Sequence, residues 1–254
     1  MHRVLILGGT LEARRLAERL RGRADLAITL SLAGRTTAPA AQPAPVRIGG
    51  FGGAEGLAAY LRAEPIRALI DATHPYAAVI SANAARAAEA AGVRLLALRR
   101  PPWQAVAGDR WSEVADVPAA VEALGSAPRR VFLALGRKEI QPFGTAPQHD
   151  YLVRSVDPVV PPLPVPHASY LVARGPFAEA TERALLRAHA IDVIVAKNSG
   201  GEATYGKIAA ARALGIEVIL LRRPPLPAVP SVASVTEAIA WLDHALAFVS
   251  ARGV

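Results

Sequence analysis

The stretch Gly92–Pro102, GVRLLALRRPP, returns 123 residues later (92 to 215) as GIEVILLRRPP at Gly215–Pro225. A second match lies upstream of each copy, where Leu61–Ile66 and Leu186–Ile191 share the pattern Leu-Arg-Ala-x-x-Ile at an offset of 125. Each copy holds a short aliphatic run that ends in Arg-Arg-Pro-Pro, which is typical of a buried strand stopped by proline. The repeat therefore predicts that the chain folds as two similar halves.

Aliphatic runs of strand length alternate with Ala-rich segments of helical spacing through both halves. This alternation is typical of a parallel sheet with right-handed helical crossovers. We expect an α/β protein with two Rossmann-like parallel-sheet domains that face each other across a cleft. The Pro-Pro-Trp segment at residues 101–103 is the expected linker, so the predicted domains are residues 1–103 and residues 104–254.

Composition limits what this protein can be. The 254 residues include no cysteine, which excludes disulfides, a thiol nucleophile and thiolate metal ligands. No apolar run approaches the roughly 18 residues that cross a bilayer, and the chain opens directly on a strand pattern rather than on a signal peptide. We therefore expect a cytoplasmic protein with no membrane partner. The six histidines lack metal-ligand spacing, and no metal site is predicted.

The chain is strongly basic, with a net charge of +8. Arginine supplies most of the positive charge, and its planar guanidinium suits carboxylates and phosphates. The excess of arginine also fits GC-rich coding, which favours Ala, Arg and Pro. The charge is therefore compatible with either an anionic ligand or a bias in composition. The basic residues are scattered without interleaved aromatic residues, and no nucleic-acid partner is expected.

The first predicted strand runs into a glycine turn, Gly8-Gly9-Thr10, before a helix. Such a turn lets backbone N–H groups and the helix N-terminus approach a pyrophosphate. The full dinucleotide fingerprint has glycine where Thr10 stands, so the turn alone also fits a plain tight turn. A second glycine cluster follows the third strand, where Gly50 and Phe51 are predicted to approach a ligand closely. A mobile connection is the alternative for that cluster.

The end of the second strand indicates which dinucleotide would bind. NAD-binding proteins usually place an acid there to hold the ribose 2′-hydroxyl. Residues 31–37 read SLAGRTT and contain no acid. An arginine with hydroxyl groups suits a 2′-phosphate, which favours NADPH, whereas a solvent-exposed loop arginine is the alternative. The residues expected at this site are Ser31, Gly34, Arg35 and Thr36.

Two polar segments follow buried strands at matching positions of the repeat. The first, DATHPYA at Asp71–Ala77, carries His74 and Tyr76 as candidate proton or hydrogen-bond donors. The second, KNSGG at Lys197–Gly201, offers an ammonium, an amide, a hydroxyl and backbone N–H groups, which suit a carboxylate. The alternatives are a structural histidine and a helix start capped by Ser199. The carboxyl ends of parallel strands are where ligands bind in open sheets.

Together these motifs resemble those of the precorrin-6A reductase family of cobalamin biosynthesis. The matching segments keep the family's order and are Gly8–Arg14, Gly49–Gly53, Asp71–Ala77, Arg174–Phe177 and Lys197–Gly201. One departure is Ala134-Leu135-Gly136, where the family pattern has hydroxyl residues before the glycine.

The resemblance implies that NADPH reduces one double bond of the precorrin-6A macrocycle, a tetrapyrrole rich in carboxylates, to give precorrin-6B. It implies that residues 1–103 bind NADPH, with Thr73 near the nicotinamide, and that residues 104–254 bind the substrate. His74 and Tyr76 are the candidate catalytic proton donors, and water is their competitor. The expected substrate residues are His74, Pro75, Tyr76, Arg174, Lys197, Asn198, Ser199, Gly200 and Gly201. The sequence leaves the oligomeric state open and is compatible with a monomer.

Other classes share parts of this pattern. Another NADPH-dependent reductase of a C=N or C=C bond in a small anionic substrate would share every feature except the second loop. A two-domain Rossmann-like glycosyltransferase would pair the same folds but bind a nucleotide sugar. A basic nucleic-acid binder without enzymatic activity would depend on the charge alone.

Overall fold

The computed structural model describes residues 1–34 and 41–250, without the side chains of residues 248–250. The first sheet contains β1 (His2–Leu7), β2 (Leu26–Leu32), β3 (Val46–Ile48), β4 (Ile66–Asp71), β5 (Arg94–Leu98) and β12 (Ser231–Val232). The second sheet contains β6 (Trp111–Val114), β7 (Arg130–Ala134), β8 (Asp150–Ser155), β9 (Ala168–Val172), β10 (Val193–Lys197) and β11 (Glu217–Leu221). The helices are α1 (Leu11–Leu20), α2 (Gly53–Ala63), α3 (Ala78–Ala91), α4 (Val117–Leu124), α5 (Arg137–Ile140), α6 (Glu179–Ala188), α7 (Gly206–Leu214) and α8 (Val235–Ser250), with a 3₁₀ turn at Gln141–Thr145.

The predicted α/β fold class is confirmed. Over the described ranges, the first sheet has the order β12-β5-β4-β1-β2-β3 and the second has the order β6-β11-β10-β7-β8-β9, with every strand pair parallel. The winding direction reverses between β1 and β4 in the first sheet and between β7 and β10 in the second sheet. Ligands of such sheets bind at the carboxyl ends beside this reversal.

The compact units differ from the domain boundaries expected from the sequence. One unit comprises residues 1–101 together with the segment from Pro224 onward, and the other comprises Pro102–Arg223. The segment from Pro224 onward, which the sequence analysis placed in the second domain, thus belongs to the first unit. There β12 pairs with β5, and α8 packs on α1. In the second unit, the edge strand β6 pairs with β11, which is more than 100 residues later in the chain. Both edge strands are too short to give a clear strand pattern, so their location is set by pairing that sequence alone does not show.

Alternate residues of β1 serve the two faces of the first sheet. Val4 and Ile6 pack with α1 and α8, whereas Leu5 and Leu7 pack with α2 and α3. Strands covered on both faces read as continuous aliphatic runs, which explains why the sequence pattern located them. In the second unit, Ile194 of β10 packs in a cluster with residues of α6 and α7. Across the described residues, none of the helices has both the length and the apolarity to cross a bilayer.

Candidate functional site

Two glycines shape the turn after β1 in different ways. A Cβ on Gly8 would lie 2.8 Å from Cδ1 of Leu30, so glycine is needed where the turn passes close to β2. Gly9 has a φ of 107°, and a Cβ there would meet nothing within 4 Å. This φ favours glycine because other residues adopt it only with strain. The turn therefore leaves open space beside the N-terminus of α1.

Thr10 fixes the N-terminus of α1. Its Oγ1 accepts a hydrogen bond from the Ala13 N–H at 3.1 Å and donates one to the Ala72 carbonyl at 2.7 Å. The hydroxyl thus caps the helix and ties the turn to the segment after β4. Because the Thr10 hydroxyl is already hydrogen-bonded to Ala13 and Ala72, the main hydrogen-bond donors that this turn offers to a phosphate are its backbone N–H groups.

Glu12 is neutralised by an ion pair in the first turn of α1. Its carboxylate lies 2.5 Å from Nη1 of Arg100, and both side chains are largely buried. A lone carboxylate at this position would repel an anion approaching the helix N-terminus. The pairing with Arg100 reduces that repulsion.

The predicted residues at the end of β2 are only partly described. Ser31 is buried, and its carbonyl accepts a hydrogen bond from the Gly8 N–H at 2.9 Å. Gly34 has a φ of 68°, and a Cβ there would lie 3.1 Å from Cγ2 of Ile48. Arg35 and Thr36 lie outside the described residues. The ends of β2 and β3 are therefore adjacent at this edge of the sheet.

Arg47 organises the glycine cluster after β3. Its guanidinium carbon lies 3.7 Å from the centroid of the Phe51 ring, and it donates hydrogen bonds to the carbonyls of Gly49 and Gly50 at 2.7 and 2.8 Å. A Cβ on Gly56 would lie 1.7 Å from the Phe51 carbonyl oxygen, so glycine is required there. The sequence analysis did not single out Arg47. The sequence feature that could have indicated Arg47 is its position two residues before the glycine cluster.

Asp71 holds the loop that follows β4. The side chain is buried, and Oδ1 accepts hydrogen bonds from the N–H and the hydroxyl of Thr73 at 3.2 and 2.7 Å. The other oxygen, Oδ2, accepts a hydrogen bond from Oγ of Ser81 at 2.6 Å. Ser81 belongs to α3, so one carboxylate links the loop to the helix after it. This arrangement fixes the backbone that carries the next predicted residues.

His74 and Tyr76 lie side by side in this loop, with ring centroids 5.6 Å apart. Nδ1 of His74 accepts a hydrogen bond from the Tyr76 N–H at 3.3 Å, and the His74 carbonyl accepts one from the Ala77 N–H at 2.7 Å. Because Nδ1 is an acceptor, a neutral His74 carries its proton on Nε2. Pro75 between them is buried. The loop thus holds an imidazole N–H and a phenol in a fixed turn.

In the second unit, the loop after β10 is held through its carbonyl groups. Arg223 donates to the carbonyls of Asn198 and Ser199 at 2.9 and 3.0 Å. The indole N–H of Trp103 donates to the Gly201 carbonyl at 2.9 Å. The carbonyl and N–H groups of one trans peptide point in opposite directions. The N–H of Gly200, which shares a peptide with the Ser199 carbonyl, therefore points away from Arg223.

Asn198 binds Trp103 through both polar atoms of its amide. Oδ1 accepts a hydrogen bond from the Trp103 N–H at 2.8 Å, and Nδ2 donates one to the Trp103 carbonyl at 3.1 Å. Asn198 is only 4% exposed. The structure therefore shows Asn198 fixing the loop to the Trp103 segment, a contact that the sequence did not predict.

Lys197 forms an ion pair with Glu139, a residue that the sequence analysis missed. Nζ of Lys197 lies 2.7 Å from Oε1 of Glu139, which belongs to α5. A Cβ on Gly136 would lie 2.3 Å from Oε2 of Glu139, so this glycine makes room for the carboxylate. The sequence feature that could have drawn attention to Glu139 is the nearby departure from the family pattern at Ala134-Leu135-Gly136. The Lys197–Gly201 segment, which is predicted to bind a carboxylate, therefore already has a carboxylate of the protein beside its lysine.

The Arg174–Phe177 segment packs over a buried ion pair. Arg154 and Glu182 form two hydrogen bonds, at 2.6 and 2.8 Å, and the Arg154 guanidinium carbon lies 3.8 Å from the Phe177 ring centroid. A Cβ on Gly206 would lie 2.3 Å from the Phe177 carbonyl oxygen, so the segment rests directly on the start of α7. Arg174 itself is exposed.

Lys207 is a second buried cation of this region. Its Nζ donates to the Thr204 carbonyl at 2.7 Å and lies 4.9 Å from the Trp103 ring centroid. Burial, helped by the nearby charge of Arg154, lowers the pKa of Lys207 to about 7. Lys207 thus joins the start of α7 to the same tryptophan that holds Gly201.

Comparison with known proteins identifies the family of this chain. Residues 3–243 match the family model described as precorrin-6x reductase CbiJ/CobK. The chain is 59% identical over 245 residues to the precorrin-6A reductase of Sinorhizobium sp, a match that covers 96% of this chain and 94% of that protein. It is 28% identical to the cobalt-precorrin-6A reductase of Priestia megaterium, covering 88% and 91% of the two chains. The solved structure of CobK precorrin-6A reductase superposes with a TM-score of 0.91 at 51% identity, covering 96% and 97%.

The resemblance drawn from the sequence motifs is thereby confirmed over almost the whole chain. The similarity extends through both units rather than through a nucleotide-binding half alone, so it favours the reductase over the glycosyltransferase interpretation. The chain belongs to the precorrin-6x reductase family and is an oxidoreductase of cobalamin biosynthesis.

Proposed function

We propose that this protein uses NADPH to reduce one double bond of the precorrin-6A macrocycle, which gives precorrin-6B. The observation that carries the coenzyme assignment is the open turn at Gly8, Gly9 and Thr10, next to a second strand that ends without an acid. Family membership supports the reductase activity and the class of substrate. The turn and the strand end support the phosphorylated coenzyme.

The residues around the first turn fit a dinucleotide. The open side of Gly9 and the backbone N–H groups at the start of α1 suit a pyrophosphate, and the Glu12 charge is already paired. NADPH, when bound, supplies a hydride to a ring carbon of the substrate. The remaining residues that would contact it are Ser31, Gly34, Arg35, Thr36, Gly50, Phe51 and Thr73.

The loop after β4 would position the proton donors. Asp71 holds Thr73 and Ser81, which fixes the turn that carries His74 and Tyr76. His74 presents an Nε2 proton and Tyr76 a phenolic proton, and either group can hydrogen-bond a polar atom of the substrate or protonate it. Pro75 between them limits the motion of this turn.

Residues of the second unit would bind the carboxylates of the macrocycle. Arg174 and Lys197 provide charge, and Ser199, Gly200 and Gly201 provide a hydroxyl and N–H groups. Asn198 supports them through Trp103. We propose the metal-free macrocycle as substrate, because the relative named for precorrin-6A is 59% identical and the relative named for cobalt-precorrin-6A is 28% identical.

Anaerobic turnover tests this proposal. Enzyme, NADPH and precorrin-6A are mixed, and the near-ultraviolet absorbance of the reduced nicotinamide is followed together with the visible spectrum of the pigment. We expect both to change in equal molar amounts, faster with NADPH than with NADH and faster with precorrin-6A than with its cobalt complex. A protein that leaves the pigment unchanged and shows no shift of its visible band on binding would instead be a reductase of another anionic substrate.

A further inference from the structure

We infer that Arg47, which is stacked on Phe51 beside the end of β2, binds the 2′-phosphate of NADPH and sets the preference for NADPH over NADH. This inference rests on the proposed function, since it requires the coenzyme to bind along the first sheet. It adds a described residue to the expected 2′-phosphate site, of which Arg35 and Thr36 lie outside the described residues.

Strand register places Arg47 next to the predicted site. In the pairing of β2 with β3, Arg47 is the partner of Ser31, and Ile48 is the partner of Leu32. Paired residues of neighbouring parallel strands lie on the same face of the sheet. The Gly49 N–H continues the pairing by donating to the Leu32 carbonyl at 2.9 Å. Arg47 therefore lies beside the end of the second strand, where dinucleotide folds bind the adenosine ribose.

The Arg47 guanidinium is held rigidly but keeps donors for a ligand. Its carbon lies 3.7 Å from the Phe51 ring centroid and 5.3 Å from that of Tyr60. Its described hydrogen bonds, to the carbonyls of Gly49 and Gly50, use one N–H of each terminal nitrogen. A guanidinium carries five N–H donors. The Nε–H and one N–H on each terminal nitrogen therefore remain for phosphate oxygens.

The charge of Arg47 is not cancelled by a neighbouring acid. Within residues 1–34 and 41–247, no carboxylate lies within ion-pair distance of Arg47, whereas Arg100 is paired with Glu12 at 2.5 Å. Peptide carbonyls supply only partial charge, so the guanidinium keeps its attraction for a dianion. A guanidinium that is fixed in place, has no acidic partner among the described residues and lies beside a strand end without an acid is well suited to bind a 2′-phosphate.

A purely structural role for Arg47 makes a different prediction. If Arg47 only holds the glycine cluster in shape, its loss should weaken NADPH and NADH equally, because both coenzymes share the rest of the site. If it binds the 2′-phosphate, only ligands with that group should be affected. The comparison of phosphorylated and unphosphorylated ligands therefore separates the two roles.

The test measures dissociation constants by calorimetry for NADPH, NADH, 2′,5′-ADP and AMP. Arg47→Met removes the charge but keeps an unbranched chain against Phe51, and Arg67→Met, at an exposed position near the start of β4, is the matched control for lost charge. We expect Arg47→Met to weaken NADPH and 2′,5′-ADP by about 10- to 100-fold and to leave NADH and AMP within about threefold. Arg47→Lys should give an intermediate loss.

Phe51→Leu gives a second measurement that keeps Arg47 itself. Loss of the ring should release the guanidinium and lower the ratio of NADPH to NADH affinity by about threefold to tenfold. Folding of each variant is checked by circular dichroism. Should Arg47→Met misfold, Phe51→Leu and Arg47→Lys still decide the question.

The possible outcomes separate this inference from the proposed function. Equal losses for all four ligands, or no loss for NADPH, would overturn the role of Arg47 and leave NADPH binding intact. A wild-type protein that binds NADH as tightly as NADPH would also overturn it, while the assignment as a nicotinamide-dependent reductase would stand. A wild-type protein that binds neither coenzyme would overturn the proposed function as well.

Discussion

Nζ of Lys197 lies 2.7 Å from Oε1 of Glu139, and the two residues extend from the ends of neighbouring strands of the second sheet. Lys197 ends β10, and Glu139 lies in the short helix after β7. In the proposed function, a substrate carboxylate must share Lys197 with Glu139. The ion pair between Glu139 and Lys197 therefore competes with the binding of a substrate carboxylate to Lys197.

We expect Glu139→Gln to tighten binding of the carboxylate-rich substrate. The pair is partly exposed to water, so the gain should be modest, about twofold to tenfold in the dissociation constant. Titration of the visible absorption band of precorrin-6A measures the affinity. Glu122→Gln, at an exposed position in α4, is the control for a changed net charge. Weaker binding by Glu139→Gln would show instead that Glu139 positions Lys197 for the substrate.

Asp71→Asn should reduce both catalysis and stability. The carboxylate accepts hydrogen bonds from Thr73 and Ser81, and an amide would turn a donor toward one of these donors. We expect a loss of about 1–3 kcal/mol in the free energy of unfolding, measured with urea, and a drop of at least about tenfold in kcat. Ser81→Ala, which removes a single hydrogen bond, should cost less in both measurements. Wild-type turnover by Asp71→Asn would contradict the role given to this loop.

His149 should make the protein less stable in acid. The side chain is fully buried, its Nδ1 has no hydrogen-bond partner among the described residues, and burial lowers the pKa of His149 below its usual value of 6.5. As the pH falls below about 6.5, the unfolded chain takes up a proton that the native state resists, so the free energy of unfolding falls. Urea unfolding midpoints measured from about pH 8 to pH 5 report this loss.

His149→Gln should flatten this pH dependence. His167→Gln, at an exposed position, should leave the dependence as in the wild type. If His149→Gln keeps the full acid loss, the dependence originates in other groups.

Lys207 should produce a dependence of the same sign as that of His149, but in a more basic range of pH. The pKa of Lys207 is about 7 in the native state and 10.5 in the unfolded chain. Between these values the unfolded chain binds the extra proton, so the free energy of unfolding should rise as the pH rises from about 7 to about 10.5. Lys207→Met should remove this rise in urea unfolding experiments, whereas Lys138→Met, at an exposed position, should retain it. A slope that persists in Lys207→Met would mean that Lys207 is charged in the folded protein.

The sequence predicted those parts of the fold that depend on local pattern. The strands β2, Leu26–Leu32, and β11, Glu217–Leu221, belong to the largely aliphatic runs from which the alternation of strands and helices was predicted, because parallel strands covered on both faces are apolar. The two-residue strand β12 and the edge strand β6 carry no comparable pattern. Their positions depend on pairing with strands far away in the chain.

The candidate site shows the same division. Glycine turns and polar loops were visible because their residue types are unusual after a strand. Glu139 was missed because its partner, Lys197, lies on another element 58 residues away. Arg47 was missed because its contacts form only when the glycine cluster folds back against its side chain. A pattern of spacings along one strand or helix does not report such contacts.

The path of the chain through the two units also affects the order in which they can form during synthesis. Pro102–Arg223 is one uninterrupted stretch, so the ribosome has made all of that unit once Arg223 has been added. The other unit still lacks β12 and α8 at that moment, with part of the apolar surface of α1 uncovered. Domains generally fold as units. The unit that contains β1 is therefore completed later than the unit that contains β7.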